Sequence, residues 1–250
     1  TDRVGVGTVL PLAKVDIHSD GALSTDIALN VRNSVDTADM FSVLGDGSVF
    51  SNGRGVVSTN TGFGEDVFKT TTTGGNNTGV GYQSLNSLTV GTGNVGVGGS
   101  ALNSLIGGLE NTSIGYLSLF EMLSGGRNIA VGTASGRYIS GGVTANANCS
   151  NSVFLGHDTF PLANNQTNQI VIGESAIGNG SNTSTIGNSS TVSTHLKGVV
   201  VVGEYTVATL PTASTYQAGT IMVSDETGGY TMAFSDGTNW RRTQDRAIVS

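Results

Sequence analysis

Few side chains in this sequence have the type and spacing that chemistry requires. The carboxylates Asp225, Glu226 and Asp236 fall near an aromatic stretch, and a glycosidase needs two carboxylates at a defined separation across a sugar. Asp236 is followed by Gly237, however, and an Asp-Gly pair is explained by a turn without catalysis. His18, His157 and His195 are scattered, with no second histidine at metal-ligand spacing. Only a threefold axis, gathering copies of one His or one Asp, would make an ion site of such residues. Cys149 is the sole cysteine, which excludes an intrachain disulfide and a cysteine-based metal cluster. Gly79-Val80-Gly81 and Gly96-Val97-Gly98-Gly99 have the composition of a nucleotide-binding loop, but no helical pattern follows them and the motif recurs along the chain. Gly178-Asn179-Gly180-Ser181-Asn182 lacks the Asp that a calcium-binding turn needs. Thr70 to Thr73 are consecutive rather than spaced one per period, so they read as a polar strand or loop and not as an ice-binding array. The expectation is a protein without enzymatic activity, cofactor or resident metal.

One stretch is better suited to recognition than to catalysis. Tyr205, Tyr216, Tyr230, Phe234 and Trp240 lie among Asn239, Arg241 and Arg242 near the C-terminus. Aromatic rings stack on sugar faces, and guanidinium and amide groups hydrogen-bond hydroxyls or carboxylates in pairs. Tyr230, Asp236, Asn239, Trp240, Arg241 and Arg242 are therefore the candidate receptor contacts. The competing reading is that Trp240 closes the core of a small sheet.

The elements that hold these residues announce themselves by repetition. Asn60, Asn77, Asn94, Asn111 and Asn128 recur at one interval, 77 − 60 = 17, and each is followed four residues later by Gly64, Gly81, Gly98, Gly115 or Gly132. A second glycine row, Gly74, Gly91, Gly108, Gly125 and Gly142, keeps the step. Such self-similarity marks a repeat architecture in which each unit buries its apolar side chains only against its neighbours. The apolar rows are Phe63, Val80, Val97, Ile114 and Val131, then Leu85, Leu102 and Leu119, then Leu88, Leu105, Met122 and Ile139, and all three are expected to form aliphatic ladders inside the stack. Glycine supplies positive φ at the corners, and asparagine tolerates the left-handed region while its amide bonds the backbone or the next asparagine.

The flanks differ. Residues 1–53 alternate as short strands: Ile27, Leu29 and Val31 share one face, Phe41, Val43 and Val49 flank an Asp46-Gly47 turn, and Val4 to Thr8 with Lys14 to Ile17 surround Pro11. Residues 54–198 hold the repeats, regular over 60–144 and irregular over 145–198, where an insertion and a shorter coil break the step after Cys149. Residues 199–250 read as a β-meander cap, with strands at Val199 to Val202, Thr220 to Val223, Tyr230 to Phe234 and Trp240 to Arg242, turns at Gly203, Gly228-Gly229 and Asp236-Gly237, and a hinge at Leu210-Pro211.

Composition agrees with a fibrous β-protein. Glycine numbers 38 of 250 residues, charged residues are 12% and aromatic residues 6%, a mixture suited to stacked strands and tight turns. The net charge of −7 with 11 Lys and Arg offers no footprint for nucleic acid or an anionic membrane surface. The longest purely aliphatic run, Val199 to Val202, is too short to insert into a bilayer. Residue 1 is Thr rather than Met, so a processed or cut end is expected, with any upstream segment outside the sequence.

Asn111-Thr112-Ser113-Ile114-Gly115-Tyr116-Leu117-Ser118-Leu119 and its neighbours resemble repeats of bacteriophage tail fibres and, more distantly, the head repeats of trimeric autotransporter adhesins. Asn168 to Gly173 through Thr185 to Ser190 and on to Leu196-Lys197-Gly198 is similar to the region that closes such phage repeats. Val4 to Ile17 and Ser235-Asp236-Gly237-Thr238-Asn239-Trp240-Arg241-Arg242 are likewise similar to phage fibre modules. The resemblance implies an all-β, elongated, parallel homotrimeric virion fibre, built of β-solenoid or β-roll repeats and joined to other virion proteins through an upstream segment. Such a fibre meets a host surface glycan or protein outside the cell. It leaves open whether each chain coils on itself or three chains wind about one axis. Alternatives are a spacer or head fibre without receptor contact, a bacterial trimeric surface adhesin, and a polysaccharide-depolymerising tailspike. Nothing near Ser250 resembles the membrane-barrel strands in which autotransporters end.

Overall fold

A computed structural model of the chain describes residues 59–70 and 72–250, together with the backbone of five strands among the first fifty residues. Those strands are β1 (Val4–Val6), β2 (Val15–Ile17), β3 (Ile27–Arg32), β4 (Asp39–Leu44) and β5 (Val49–Phe50). β1 pairs in parallel with β2, and β3, β4 and β5 form an antiparallel meander in which Val43 faces Val49. The Pro11 and Asp46-Gly47 turns and His18 lie outside the described residues. No α-helix occurs among the described residues, and no helix is long and apolar enough to cross a membrane. The chain divides into two compact units, Thr1–Thr194 and His195–Ser250.

The first unit is dominated by a parallel β-solenoid formed within one chain. Its strands are β6 (Thr61–Phe63), β7 (Thr78–Val80), β8 (Val95–Val97), β9 (Thr112–Ile114), β10 (Ile129–Val131), β12 (Val153–Leu155), β14 (Ile170–Ile172) and β15 (Ser184–Ile186), joined in sequence order into one 8-stranded sheet. A minor pair, β11 (Cys149–Ser150) and β13 (Gln166–Thr167), stacks beside them. Register is in step: Thr78 faces Val95, and Val95 faces Thr112.

The asparagine row is a buried hydrogen-bond ladder. The Asn94 amide Nδ2 donates to the Asn77 side-chain oxygen at 3.1 Å and to the Gly108 carbonyl at 2.7 Å. The Asn94 backbone N–H donates to the same Asn77 oxygen at 2.9 Å. Asn77, Asn111 and Asn128 repeat these bonds. Each amide thus satisfies backbone groups that a tight coil would otherwise bury unpaired. None of these asparagines has positive φ. The left-handed corners fall instead on Gln83, Leu85, Ser100, Leu102, Leu117 and Leu119, a local cost of ~1–2 kcal/mol per residue that burial of the leucines offsets.

The core is narrower than the three expected ladders. Phe68, Leu85, Leu102 and Leu119 are buried in one row and Leu88, Leu105 and Met122 in another. The third row points the other way: Phe63, Val80, Ile114 and Val131 are exposed. From each strand the middle residue enters the core, and in β7 to β10 this is Gly79, Gly96, Ser113 or Ala130. The side chains arriving from the opposite side leave no more room, since a Cβ added at Gly79 would lie 2.6 Å from Val67 Cγ1, and one at Gly96 the same distance from Ser84 Oγ and 3.3 Å from Leu85.

The two glycine rows serve different purposes. Gly81, Gly98, Gly115 and Gly132 have φ between +120° and +137°, which glycine alone adopts readily. Gly74, Gly91 and Gly108 need no positive φ; a Cβ on Gly91 would sit 2.5 Å from the Gly108 carbonyl oxygen, so these positions are glycine because successive coils touch.

The break in the period comes before Cys149, within the span expected to be regular. Asn128 is followed in the ladder by Ser152, 24 residues on. The additional residues form a small excursion closed by an antiparallel bridge between Tyr138 and Ala145, with Ile139 N–H donating to the Thr144 carbonyl at 2.8 Å. Ile139 and Gly142 therefore leave their rows. Phe154 fills the core beside Gly136, where a Cβ would meet its ring at 3.0 Å. The shorter last coil is present, with Ser184 paired to Ile170.

The second unit holds β16 (Glu204–Tyr205), β17 (Thr220–Val223), β18 (Thr231–Ser235) and β19 (Trp240–Arg242) in that order, parallel between the first two and antiparallel thereafter. Val199 to Val202 is not a strand, and Val199 is 93% exposed. Valine favours an extended backbone, but a strand needs a ladder partner, and β17 accepts the Glu204–Tyr205 pair instead. Ala213, Ile221, Val223, Ala233, Trp240 and Val249 form the core, with Tyr205, Val207 and Leu210 against it. The expected hinge at Leu210-Pro211 is thus pinned to this core, since the Pro211 carbonyl accepts the Trp240 indole N–H at 2.6 Å.

Candidate functional site

The residues singled out for recognition are distributed over β18, β19 and their turns, and strand alternation decides their fates. Ser235 faces Trp240 across the ladder, and both point into the core. Trp240 is 5% exposed. Its ring closes the small hydrophobic cluster, and its one polar atom is satisfied by Pro211.

Asp236, Asn239 and Arg241 do come together, in the turn between β18 and β19. The Asp236 carboxylate accepts the backbone N–H of Thr238 at 2.8 Å and of Asn239 at 2.7 Å, and its second oxygen accepts Arg241 Nε. These bonds, the Asn239 backbone first, hold its pKa down at about 2. Asp236 is therefore ionised at any physiological pH and has no proton to give as a general acid. Arg241 also donates from Nη1 to the Arg246 carbonyl at 3.1 Å.

Arg242 projects on the core side, next to Trp240 in alternation. It donates to Glu226 at 3.4 Å and pairs with Asp245 at 2.7 Å. Glu226 is buried and also accepts the backbone N–H of Ser250 at 3.0 Å, so this carboxylate ties the chain end to the sheet. Asp225 accepts the Val207 N–H at 2.6 Å and has a comparable turn-fixing role. Tyr230 is 70% exposed at the opposite end of β18 from Asp236, a separation of about 20 Å at strand rise. The structure assembles Asp236, Asn239 and Arg241, and places Tyr230, Trp240 and Arg242 in three other settings.

Two surfaces were missed from the sequence. On the second unit, Met222 opposes Met232 on the sheet face away from the core; both sulfurs belong to side chains that alternation sets opposite Ala233. The period-2 pattern of Thr231 to Ser235 carried that signal. On the solenoid, Tyr82 and Tyr116 stand 53% and 58% exposed directly after turn glycines, with the Tyr116 ring over Gly99.

The solenoid also carries an open cleft of about 330 Å³ lined by Gly107, Leu109, Gly125, Gly126, Arg127, Ser150 and Asn151. Its one cation, Arg127, pairs with Glu110 at 3.0 Å. Cys149 lies at a smaller depression nearby, and burial pushes its thiol up to about 11, which keeps it protonated and a poor nucleophile. Among the described residues no three His, Cys, Asp or Glu side chains converge on one point. No family model, no curated protein and no solved structure matches this chain.

Proposed function

We propose that the chain is a non-catalytic structural fibre of a bacteriophage virion, homotrimeric, that attaches the particle to the host cell surface outside the cell. One observation carries the reading: the repeated asparagine, glycine and leucine positions are consumed by the stack. The asparagines bond one another, the glycines admit the neighbouring coil, and the leucines fill the interior. A scaffold so fully committed to its own length supports a spacer that sets its ends apart, and weak contacts repeated on several chains add as avidity. The turn of Asp236, Asn239 and Arg241 is the surface offered to a host glycan or protein, and exposed Tyr230 is a separate contact at the other end of β18. The upstream portion of the fibre joins it to other virion proteins.

Antibody raised against the purified chain tests this on intact phage particles. Labelled virions imaged by electron microscopy should carry the antibody on a fibre, and the same antibody should block adsorption to the host bacterium. Labelling without any effect on adsorption would reduce the protein to a spacer or head fibre, and release of reducing ends from host polysaccharide would make it a depolymerase.

A further inference from the structure

The outward face of the solenoid sheet is built against the usual rule. Strands β7 to β10 place glycine, serine or alanine inside, β12 and β14 place Phe154 and Val171 there, and all of them carry further large residues outside. Phe63, Val80, Val97, Ile114, Val131, Leu155, Ile172 and Ile186 form a continuous row, one residue on each strand of the 8-stranded sheet. Phe63 is 46% exposed, Ile114 43% and Ile186 55%. The parallel row two positions earlier is Thr61, Thr78, Val95, Thr112, Ile129, Val153, Ile170 and Ser184. Neither row holds a charged residue. At ~4.8 Å between strands and ~10 Å along each, the face measures roughly 350 Å², the size of the largest apolar patches that monomers leave open, which are often functional.

We infer that this face is an interchain seam, occupied by the same face of further copies of this chain lying parallel and in register. Two features of the surface select that occupant. First, a partner must offer apolar groups at the coil spacing over the whole length of the row, and the chain's own sheet does so. Second, in-register parallel copies set each rung against its own equivalents, so any charge on the face would meet its like. Charges are present elsewhere on the coils, as in the pairs Lys69–Asp66 and Arg127–Glu110, and are missing from this face. Tyr82 and Tyr116, next to the turn glycines at the edge of the face, widen the apolar surface. The inference rests on the multichain part of the proposed function and names the surface that joins the chains.

The test uses the full chain, with its mass in solution measured by light scattering and its coils followed by far-UV circular dichroism. The wild-type protein should run at a multiple of 25.4 kDa. Ile114→Asp combined with Val97→Asp should bring it to a single chain with the β-signal retained, while Thr92→Asp, an exposed position off the face, should leave the mass unchanged. A wild-type multimer that survives the double substitution with its mass intact would overturn the seam and leave the fibre reading standing. A single-chain wild type would overturn both. Should the aspartates unfold the coils, Ile114→Cys decides the matter: a bismaleimide short enough to span one rung should link residue 114 of one copy to residue 114 of another, and absence of that link in a folded multimer would overturn the inference.

Discussion

The two largest sheets of this protein follow different rules. In β7 to β10 of the solenoid the strand residues that face inward are small, Gly79, Gly96, Ser113 and Ala130, and the larger residues face out, whereas after the excursion β12 and β14 turn Phe154 and Val171 inward. In the C-terminal unit the inward residues are Ile221, Val223 and Trp240, and Arg241 faces out. The difference follows from what each sheet has behind it. A coil of 17 residues brings its own leucines across the interior within one turn, so the sheet opposite them must be thin-skinned. The meander has only the 207–216 segment and Val249 packed against it, so the largest residues of its core, Ile221, Val223 and Trp240, come from its own strands. On the inferred seam, the outward aliphatic row of the solenoid sheet is the part that further copies cover. Each unit also contains its own reporter, since the sole cysteine, Cys149, is buried in the solenoid and the sole tryptophan, Trp240, in the meander.

The largest effect should come from breaking the asparagine ladder. Asn94→Ala leaves the Gly108 carbonyl, the Asn111 N–H and one hydrogen of the Asn111 amide buried without partners. At ~1–3 kcal/mol for each such group, the solenoid loses about 4 kcal/mol. The check is the urea dependence of Cys149 labelling by a thiol reagent, which should move to markedly lower denaturant. An unmoved midpoint would mean that the leucine rows, not the amides, hold the coils.

Next in size is a test of the meander. Arg242→Met keeps the aliphatic stem but leaves Glu226 buried opposite no cation, and removing one partner of a buried pair costs ~3–5 kcal/mol. Arg242 retains some exposure, 22% of its side chain, so a loss near the lower figure, about 3 kcal/mol, is expected in the Trp240 fluorescence transition. A variant with unchanged stability but impaired adsorption would reassign Arg242 from scaffold to receptor contact.

How much of this was readable from residue order depends on whether a position is fixed by its neighbours in sequence or by the width of the interior. The asparagines and Gly81, Gly98, Gly115 and Gly132 were legible because a position that recurs in every coil leaves a recurring residue, although the asparagines serve as a hydrogen-bond ladder and not as left-handed corners. The direction of Val80, Val97 and Ile114 was not: a three-residue strand such as Thr78-Gly79-Val80 shows no alternation long enough to tell its faces apart, and the space behind it is set by Leu85 and Leu102 from elsewhere in the coil. Gly142 kept the numerical step but lost its structural one, because an excursion at residues 138–145 moved the chain out of register while preserving composition. Of the candidate contacts, Asp236 at a turn was legible from Asp-Gly chemistry, whereas the burial of Trp240 depends on Pro211, 29 residues away.

A substitution on the inward face addresses the inversion directly. Ala130→Leu drives a large side chain into the gap beside Leu119 and Phe154, and overpacking of this kind costs ~1–3 kcal/mol. About 2 kcal/mol should be lost, again read by Cys149 labelling. A tolerated leucine would show that the solenoid interior has slack, and the contrast between the two sheets would then need another cause.

The smallest effect is a pH dependence confined to the meander. Asp236 titrates at about 2 in the fold against 3.8 as its ordinary value, because the Asn239 and Thr238 N–H groups and Arg241 favour its charged form. A depressed carboxylate contributes stability in full above its unfolded pKa and loses it as pH falls through the folded value. The turn should therefore hold unchanged from pH 7 to about 4 and weaken progressively from there towards pH 2. Asp236→Asn, which retains an oxygen acceptor but no charge, should lower the Trp240 midpoint at neutral pH and remove its slope between pH 4 and 2. The solenoid's buried ladder is made of neutral amides, so Cys149 protection has no corresponding slope to lose in that window from the ladder itself. Equal acid sensitivity at both reporters, persisting in Asp236→Asn, would place the responsible carboxylates outside this turn and erase the electrostatic half of the comparison.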